Sequence, residues 1–278
     1  MKQLRVTEIQ RGCVYDGPGV RTTIFFKGCP LRCPWCCNPE TQSFAEDYYV
    51  DNKKCLLYQG VDSKLCVDCV RKQGKTPVES CPFGVSEKTS VDYTPDELIK
   101  KTNKDKSLFI STGGGITLSG GEPLLQADAL VPYLNALNND SVNIAIETTL
   151  VSSFDKLTLL KPYLDLFIID LKLQPQMCLN SPEYIDSIAL RIDYIKDKPI
   201  QYRMVYVDDI QCVKDTVLSV LKRLSIRDIE ILKCHNLASK KYQRMSRRFT
   251  NFVVNEKEAR LFVDFLQDNN INSNLLTI

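Results

Sequence analysis

No stretch of this sequence is apolar for long enough to span a bilayer. Its opening residues, Met1-Lys2-Gln3-Leu4-Arg5-Val6, lack the apolar core of an export signal. Net charge is scarce as well: 36 basic residues against 34 acidic ones leave +2, which gives no reason to expect nucleic acid or a membrane surface as partner. The one local exception is Lys240–Arg248, with Lys240, Lys241, Arg244, Arg247 and Arg248. It reads first as a solvated helix face and second as a docking surface for an acidic partner. Neither an internal repeat nor a low-complexity linker divides the 278 residues, enough for one large domain or two small ones. Cysteine is what the chain has in plenty, twelve in all. In a chain that is not exported thiols stay reduced, and clustered reduced thiols usually mean metal. The expectation is a cytoplasmic, monomeric metalloprotein that binds neither nucleic acid nor membrane.

The densest cluster is Cys29-Pro-Leu-Arg-Cys33-Pro-Trp-Cys36, in a loop that follows the apolar strand Thr22–Phe26. A loop of this size can wrap three thiolates round one iron–sulfur cube and leave one of its irons without a protein ligand. A zinc site would want four ligands, with Cys37 as the candidate fourth. Adjacent residues on an extended chain, however, point their side chains in opposite directions. Paired disulfides would need an exported chain. From Thr41 to about Thr89 the apolar periodicity fades and Cys55, Cys66, Cys69 and Cys81-Pro82 appear. Residues 45–88 cannot build a core of their own and need a staple, either a second four-iron cluster or a structural zinc. Cys-Pro favours the cluster. Cys13, Cys37, Cys178, Cys212 and Cys234 fit no spacing and read as buried apolar residues.

The chain around these clusters alternates strand and helix. Leu4–Ile9 reads as a first strand or edge hairpin, and Asp16-Gly-Pro-Gly as a tight turn. Thr94-Pro95-Asp96-Glu97 starts a helix, with Thr94 as cap and Pro95 in the first position. A strand Ile116–Leu118 lies between Gly113-Gly-Gly115 and Ser119-Gly120-Gly121-Glu122-Pro123. Helices follow at Leu124–Leu137, Phe154–Leu160, Pro182–Ile195, Val213–Leu224 and Asn255–Asn269. The strands between them are Val142–Ile146, Leu166–Ile169, Ile200–Val207 and Ile229–Leu232. Apolar strands joined by amphipathic helices mean a parallel sheet with crossovers, and six such units are too few for a closed eight-fold barrel. Polar residues stand near strand ends at Glu147-Thr148-Thr149, Asp170-Leu171-Lys172 and His235, with Arg203 inside its strand. In β/α barrels such positions carry chemistry.

Cys29-x3-Cys33-x2-Cys36 with Trp35 before the last cysteine resembles the radical S-adenosylmethionine enzymes. The flanking Asp16-Gly-Pro-Gly-Val-Arg-Thr22 and Asn38-Pro39-Glu40 resemble the activating enzymes of glycyl radical enzymes, of the pyruvate formate-lyase activating type. The resemblance implies an open, partial (β/α)6 TIM-like barrel over residues 1–278, with the cysteine-rich segment 45–88 as a ferredoxin-like insertion. Many family members carry twice as many cysteines there, so this chain would hold one auxiliary [4Fe-4S] cluster through Cys55, Cys66, Cys69 and Cys81. At Cys29, Cys33 and Cys36 the family holds the cluster whose open iron is chelated by S-adenosylmethionine. Its reductive cleavage yields a 5′-deoxyadenosyl radical that takes an α-hydrogen from a glycine of the partner, a glycyl radical enzyme.

By the same resemblance Gly120, Gly121 and Glu122 serve the methionyl amino group. Asp170, Lys172, Arg203 and His235 surround the methionyl carboxylate and ribose, while Trp35, with the backbone of Cys36 and Cys37, lies by the adenine. Glu147 and Asp170 share a monovalent cation, although the family's usual residue at the first position is Asp. Asp16 is a substrate-contact candidate, and it and Gly113–Gly115 sit where the family admits a peptide loop. Flavodoxin or ferredoxin is the expected reductant. Two other readings are a radical enzyme that modifies another peptide or a small molecule, and a non-catalytic iron–sulfur carrier.

Overall fold

A computed structural model describes residues 2–61, 63–66, 69, 81–173, 181–207, 214–252 and 255–276. Cys178 and Cys212 lie outside them. The strands are β1 (Leu4–Cys13), β2 (Arg21–Phe26), β3 (Tyr48–Val50), β4 (Ser86–Lys88), β5 (Val91–Tyr93), β6 (Gly115–Gly120), β7 (Asn143–Thr148), β8 (Leu166–Asp170), β9 (Ile200–Tyr206), β10 (Asp228–Lys233) and β11 (Asn272–Leu276). The helices are α1 (Pro95–Thr102), α2 (Lys106–Thr112), α3 (Ala127–Asn139), α4 (Phe154–Leu160), α5 (Pro182–Ile195), α6 (Lys214–Arg223), α7 (Ser239–Arg244) and α8 (Glu256–Asp268).

Nine strands form one sheet in the order β11-β10-β9-β8-β7-β6-β2-β1-β5. From β2 to β11 the neighbours are parallel, while β1 pairs antiparallel with β2 and β5. The expected parallel barrel with crossover helices is there, and it is open, with β5 and β11 as its edges. Side chains alternate across it. Ile24, Phe26, Ile116, Leu118, Ile144, Ile146, Phe167, Ile169 and Met204 join the main core beneath the helices, with Leu130, Leu134, Leu157 and Leu221 from the helices themselves. A second, small apolar group on the inner face, Ala145, Leu166 and Ile168, packs apart from that core. Thr23, Thr117, Ser119, Glu147, Asp170 and Arg203 share the inner register. The concave face is therefore polar where the convex face is oily.

Local chemistry sets the element ends. At α1, Thr94 accepts from the Glu97 amide at 3.3 Å and the Glu97 carboxylate accepts from the Thr94 amide at 2.8 Å, a reciprocal cap behind Pro95. Ser181 caps α5 through the Tyr184 amide at 3.3 Å. The cysteine-rich segment is drawn together at its base by β3 and β4, antiparallel with Tyr48 opposite Lys88 and Val50 opposite Ser86. No helix among the described residues is long and apolar enough to cross a membrane.

Candidate functional site

A convergence of polar side chains lies at the C-terminal ends of the parallel strands, where the cysteine loop folds over a cavity. Phe25, Ser119, Glu147, Asp170 and Lys172 form its barrel side, and Cys29, Cys33, Trp35, Cys36 and Cys37 come from the loop. Glycine makes this seam possible. A β-carbon on Gly120 would stand 2.4 Å from the Phe26 nitrogen and one on Gly121 2.2 Å from the Gly28 oxygen. Main chain meets main chain there instead, with Gly121 N–H donating to Phe26 C=O and Glu122 N–H to Gly28 C=O, both at 2.8 Å.

The three thiols of the motif line one cavity. Burial pushes Cys29 up to about 11 and raises Cys33 and Cys36 as well; Lys172 opposes the shift in all three. Among the described residues no three His, Cys, Asp or Glu side chains are placed to share a single metal ion. That arrangement does not suit one zinc with Cys37 as fourth ligand. A cube, in which each thiolate takes a different iron, asks for wider spacing, and the donor set is the one it uses. Cys37 is exposed overall and Cys13 half-buried, so neither is the buried apolar residue expected; the Cys37 thiol itself faces the cavity. Cys234 is buried as expected, beneath Trp35 and Val207.

The cavity wall holds unmatched polar atoms. Among the described residues, Asp170 Oδ1 and Trp35 Nε1 are buried without a hydrogen-bond partner. Buried polar groups are normally paired, so these atoms suit a polar ligand such as S-adenosylmethionine. The other oxygen of Asp170 accepts from Lys172 Nζ. Burial works against the Lys172 ammonium, yet Asp170 and its neighbours hold it charged and raise its pKa overall. Burial raises the Glu147 pKa too, with Arg203 opposing and Asp16 and Asp170 adding to the shift. Ser119 donates to Glu147.

Several expected site residues stand elsewhere. Glu122 is fully buried behind the wall, and its carboxylate accepts from Thr148 Oγ1 at 2.6 Å, Thr149 Oγ1 at 2.8 Å and the Thr149 amide at 2.9 Å. Its side chain is thus committed to joining the ends of β6 and β7, and what it offers a ligand is the placement of the Gly120-Gly121 backbone. Arg203 and His235 are not cavity-lining residues. Arg203 donates to Glu230 at 2.7 Å and to the Tyr15 carbonyl, with Glu147 at 4.0 Å. Glu230, also held by Gln201 at 2.9 Å, was missed in the sequence reading; its inward register within β10 was the available sign.

Asp16 lies deeper than the cavity wall. Its carboxylate accepts from Thr23 at 2.5 Å and its carbonyl from Thr117 at 2.7 Å, one inward position below Phe25 on β2. Gly113–Gly115 correct an expectation: Gly115 begins β6 opposite Arg21 and Asn143, at the far end from the cavity. The closeness these glycines permit is taken up by the chain itself. A β-carbon on Gly114 would fall 1.8 Å from the Val20 oxygen, and one on Gly19 2.4 Å from the Gly114 nitrogen. They close the floor of the barrel and leave no room there for a visiting loop. The basic run is split: Lys240, Arg244 and Arg248 are exposed, as a solvated face requires, with Arg244 paired to Glu87 at the surface, while Lys241 and Arg247 are half-buried and pair with Glu40 and Asp47. Within the cysteine-rich segment Cys55 and Cys66 are buried and Cys69 and Cys81 half-buried.

Residues 15–177 match the family model described as a 4Fe-4S single cluster domain. Pyruvate formate-lyase 2-activating enzyme of Escherichia coli (strain K12) is 31% identical over 255 residues, covering 88% of this chain and 82% of that protein. Trans-4-hydroxy-L-proline dehydratase activating enzyme of Clostridioides difficile is 28% identical over 268 residues, covering 88% of each. Among solved structures, native anSMEcpe with bound AdoMet superposes with a TM-score of 0.52 at 12% identity, over 89% of this chain and 61% of that one. At that identity the likeness speaks for the fold.

Proposed function

The chain belongs to the glycyl radical enzyme activating enzymes of the radical S-adenosylmethionine superfamily, and we propose that it activates a glycyl radical enzyme by drawing a hydrogen atom from one glycine of that partner. The observation that carries this reading is the cavity itself. Three thiols of one loop, the Lys172–Asp170 pair and the unmatched Asp170 Oδ1 and Trp35 Nε1 meet at the C-terminal ends of the strands. Cys29, Cys33 and Cys36 would hold a [4Fe-4S] cluster. When bound, that cluster and S-adenosylmethionine supply an electron and a 5′-deoxyadenosyl group able to take the α-hydrogen.

The remaining work falls to the protein's own side chains. Trp35, packed edge-on against Phe252 at 6.1 Å, gives the cavity a fixed apolar wall suited to adenine. Lys172 keeps its charge beside Asp170 and so can face a carboxylate, while Asp170 Oδ1 is an open acceptor for a hydroxyl or an amine. Gly120 and Gly121 bring backbone rather than side chain to the cavity rim. Asp170 adds to the upward shift of the Glu147 carboxyl, and the two would offer oxygens to a monovalent cation. Asp16, which accepts from Thr23 through its carboxylate and from Thr117 through its carbonyl, would meet the target glycine's backbone. Cys55, Cys66, Cys69 and Cys81 would take an auxiliary cluster, and flavodoxin or ferredoxin would be the reductant.

Reduced, reconstituted protein given S-adenosylmethionine and a glycyl radical enzyme encoded beside it should release 5′-deoxyadenosine. The partner should acquire a glycyl doublet in electron paramagnetic resonance. Cleavage without any protein-based signal would favour the reading in which a small molecule is the target.

A further inference from the structure

The cysteine loop has little regular structure of its own, so something else must fix where Cys36 and the wall beside it stand. Its main-chain ties are few: Gly28 N–H to Thr41 C=O at 2.6 Å, Cys36 N–H to Cys33 C=O at 3.1 Å and Thr41 N–H to Asn38 C=O at 2.9 Å are among them. Further ties come from a segment 201 to 208 positions further on. Tyr242 OH donates to the Cys36 carbonyl at 3.1 Å. Lys241 Nζ donates to Asn38 Oδ1 at 2.9 Å and to Glu40 Oε1 at 2.6 Å. Arg247 donates to the Pro39 carbonyl at 2.5 Å. From the barrel side the fully buried Lys27 reaches the Glu40 carbonyl at 2.6 Å. Glu40 is only 3% exposed, a buried carboxylate whose cation is Lys241.

We infer that α7 with Arg247 is a positioning clamp for the cysteine loop: Lys241, Tyr242 and Arg247 set the backbone of Cys36 to Glu40, and through it the third thiol and the Trp35 wall. The inference rests on the reading that this loop holds a cluster to which S-adenosylmethionine binds. Arg247, with Arg244 of α7, also grips the base of the cysteine-rich segment. Arg247 reaches Asp47 at 3.1 Å, and Arg244 reaches Glu87 at 3.1 Å and covers the Tyr49 ring at 4.6 Å. One short element thereby locks two cysteine regions into a common frame, a task that placement alone on the surface would not require. The three residues are positioning residues, since none of them lines the cavity.

The test uses reconstituted protein carrying Tyr242→Phe, Lys241→Met, or Lys241→Met with Glu40→Gln. Three readouts separate positioning from mere folding: S-adenosylmethionine affinity by equilibrium binding, the paramagnetic resonance line shape of the reduced cluster with and without S-adenosylmethionine, and amide exchange at residues 36–41. Tyr242→Phe should weaken affinity about fivefold, the effect of one neutral hydrogen bond. Lys241→Met strands a buried carboxylate and should weaken it about a hundredfold, with faster exchange in the loop and an altered line shape. Neutralising Glu40 in the double variant should recover affinity to within about tenfold of the unaltered protein. Unaltered affinity, line shape and exchange in Tyr242→Phe and Lys241→Met would overturn the clamp, as would a loss that tracks melting temperature and that Glu40→Gln does not recover. A cluster in the unaltered protein that ignores S-adenosylmethionine would sink the cofactor reading instead, and unchanged loop exchange would then sink the clamp by itself.

Discussion

Cys36 and Cys37 are neighbours in the chain, yet the spacing of the motif assigns ligation to the first alone, and both border the same cavity. The distinction is testable because thiolate supply differs. Replacing Cys33 by Ala removes one of three ligands and should abolish reductive formation of 5′-deoxyadenosine, while Cys37→Ala should keep most of it. Normal turnover in Cys33→Ala with loss in Cys37→Ala would reassign the ligands. A second single-residue argument concerns Glu230, which shares with Tyr15 and Glu147 the task of holding Arg203. Arg203 is 4% exposed, and removing one partner of a buried pair leaves a charge uncompensated. Glu230→Ala should cost about 3 kcal/mol, seen as a lower denaturant midpoint at unchanged slope. A midpoint shift too small to measure would mean that Tyr15 and Glu147 suffice.

Helices were legible where local chemistry decides them. The boundaries Phe154–Leu160 and Pro182–Ile195 coincide with α4 and α5, the second opened by a serine cap and a proline. Helix α3 begins at Ala127 rather than Leu124, because Glu122 draws the Leu124 amide into a tight turn over Pro123–Gln126. Strand β11 escaped notice because Asn272-Ser-Asn-Leu-Leu is mostly polar; its pairing with β10 alone, at an edge, makes it a strand. Short α7 lies in the basic run already read as a helix face, but its pairings could not be read, since its charges are satisfied by residues far away in sequence. The three cysteines of the motif could be read from spacing, but Glu122 could not, because its partners Thr148 and Thr149 arrive from another strand. The cysteine-rich segment offers its own prediction. With β3 and β4 joining its ends, its four cysteines should take a second cube, so that reconstituted protein holds about eight irons. About four irons with stoichiometric zinc would make it a zinc module.

The barrel as a whole constrains what can reach the reacting centre. Its floor is sealed by glycine packed on the chain's own backbone at Gly19, Gly114 and Val20, and Arg21, fully buried, bridges that floor through the carbonyls of Pro18 and Ile116. Its walls are helices packed on the convex face. On the proposed reading a substrate would enter from the mouth, past the cysteine loop, and descend toward Asp16. A glycine in an extended loop suits such a path: it has no side chain to block approach, and its α-radical is delocalised over two flanking amides. A free metabolite would need polar side chains to fix it, and the buried Arg203 below the cavity is already engaged with Glu230. Incubation of the reduced protein with a partner carrying α-deuterated glycine should accordingly move deuterium into 5′-deoxyadenosine, in step with growth of the glycyl signal. Label that arrives only from a small molecule, with no protein radical formed, would show that the path down the barrel serves a different guest.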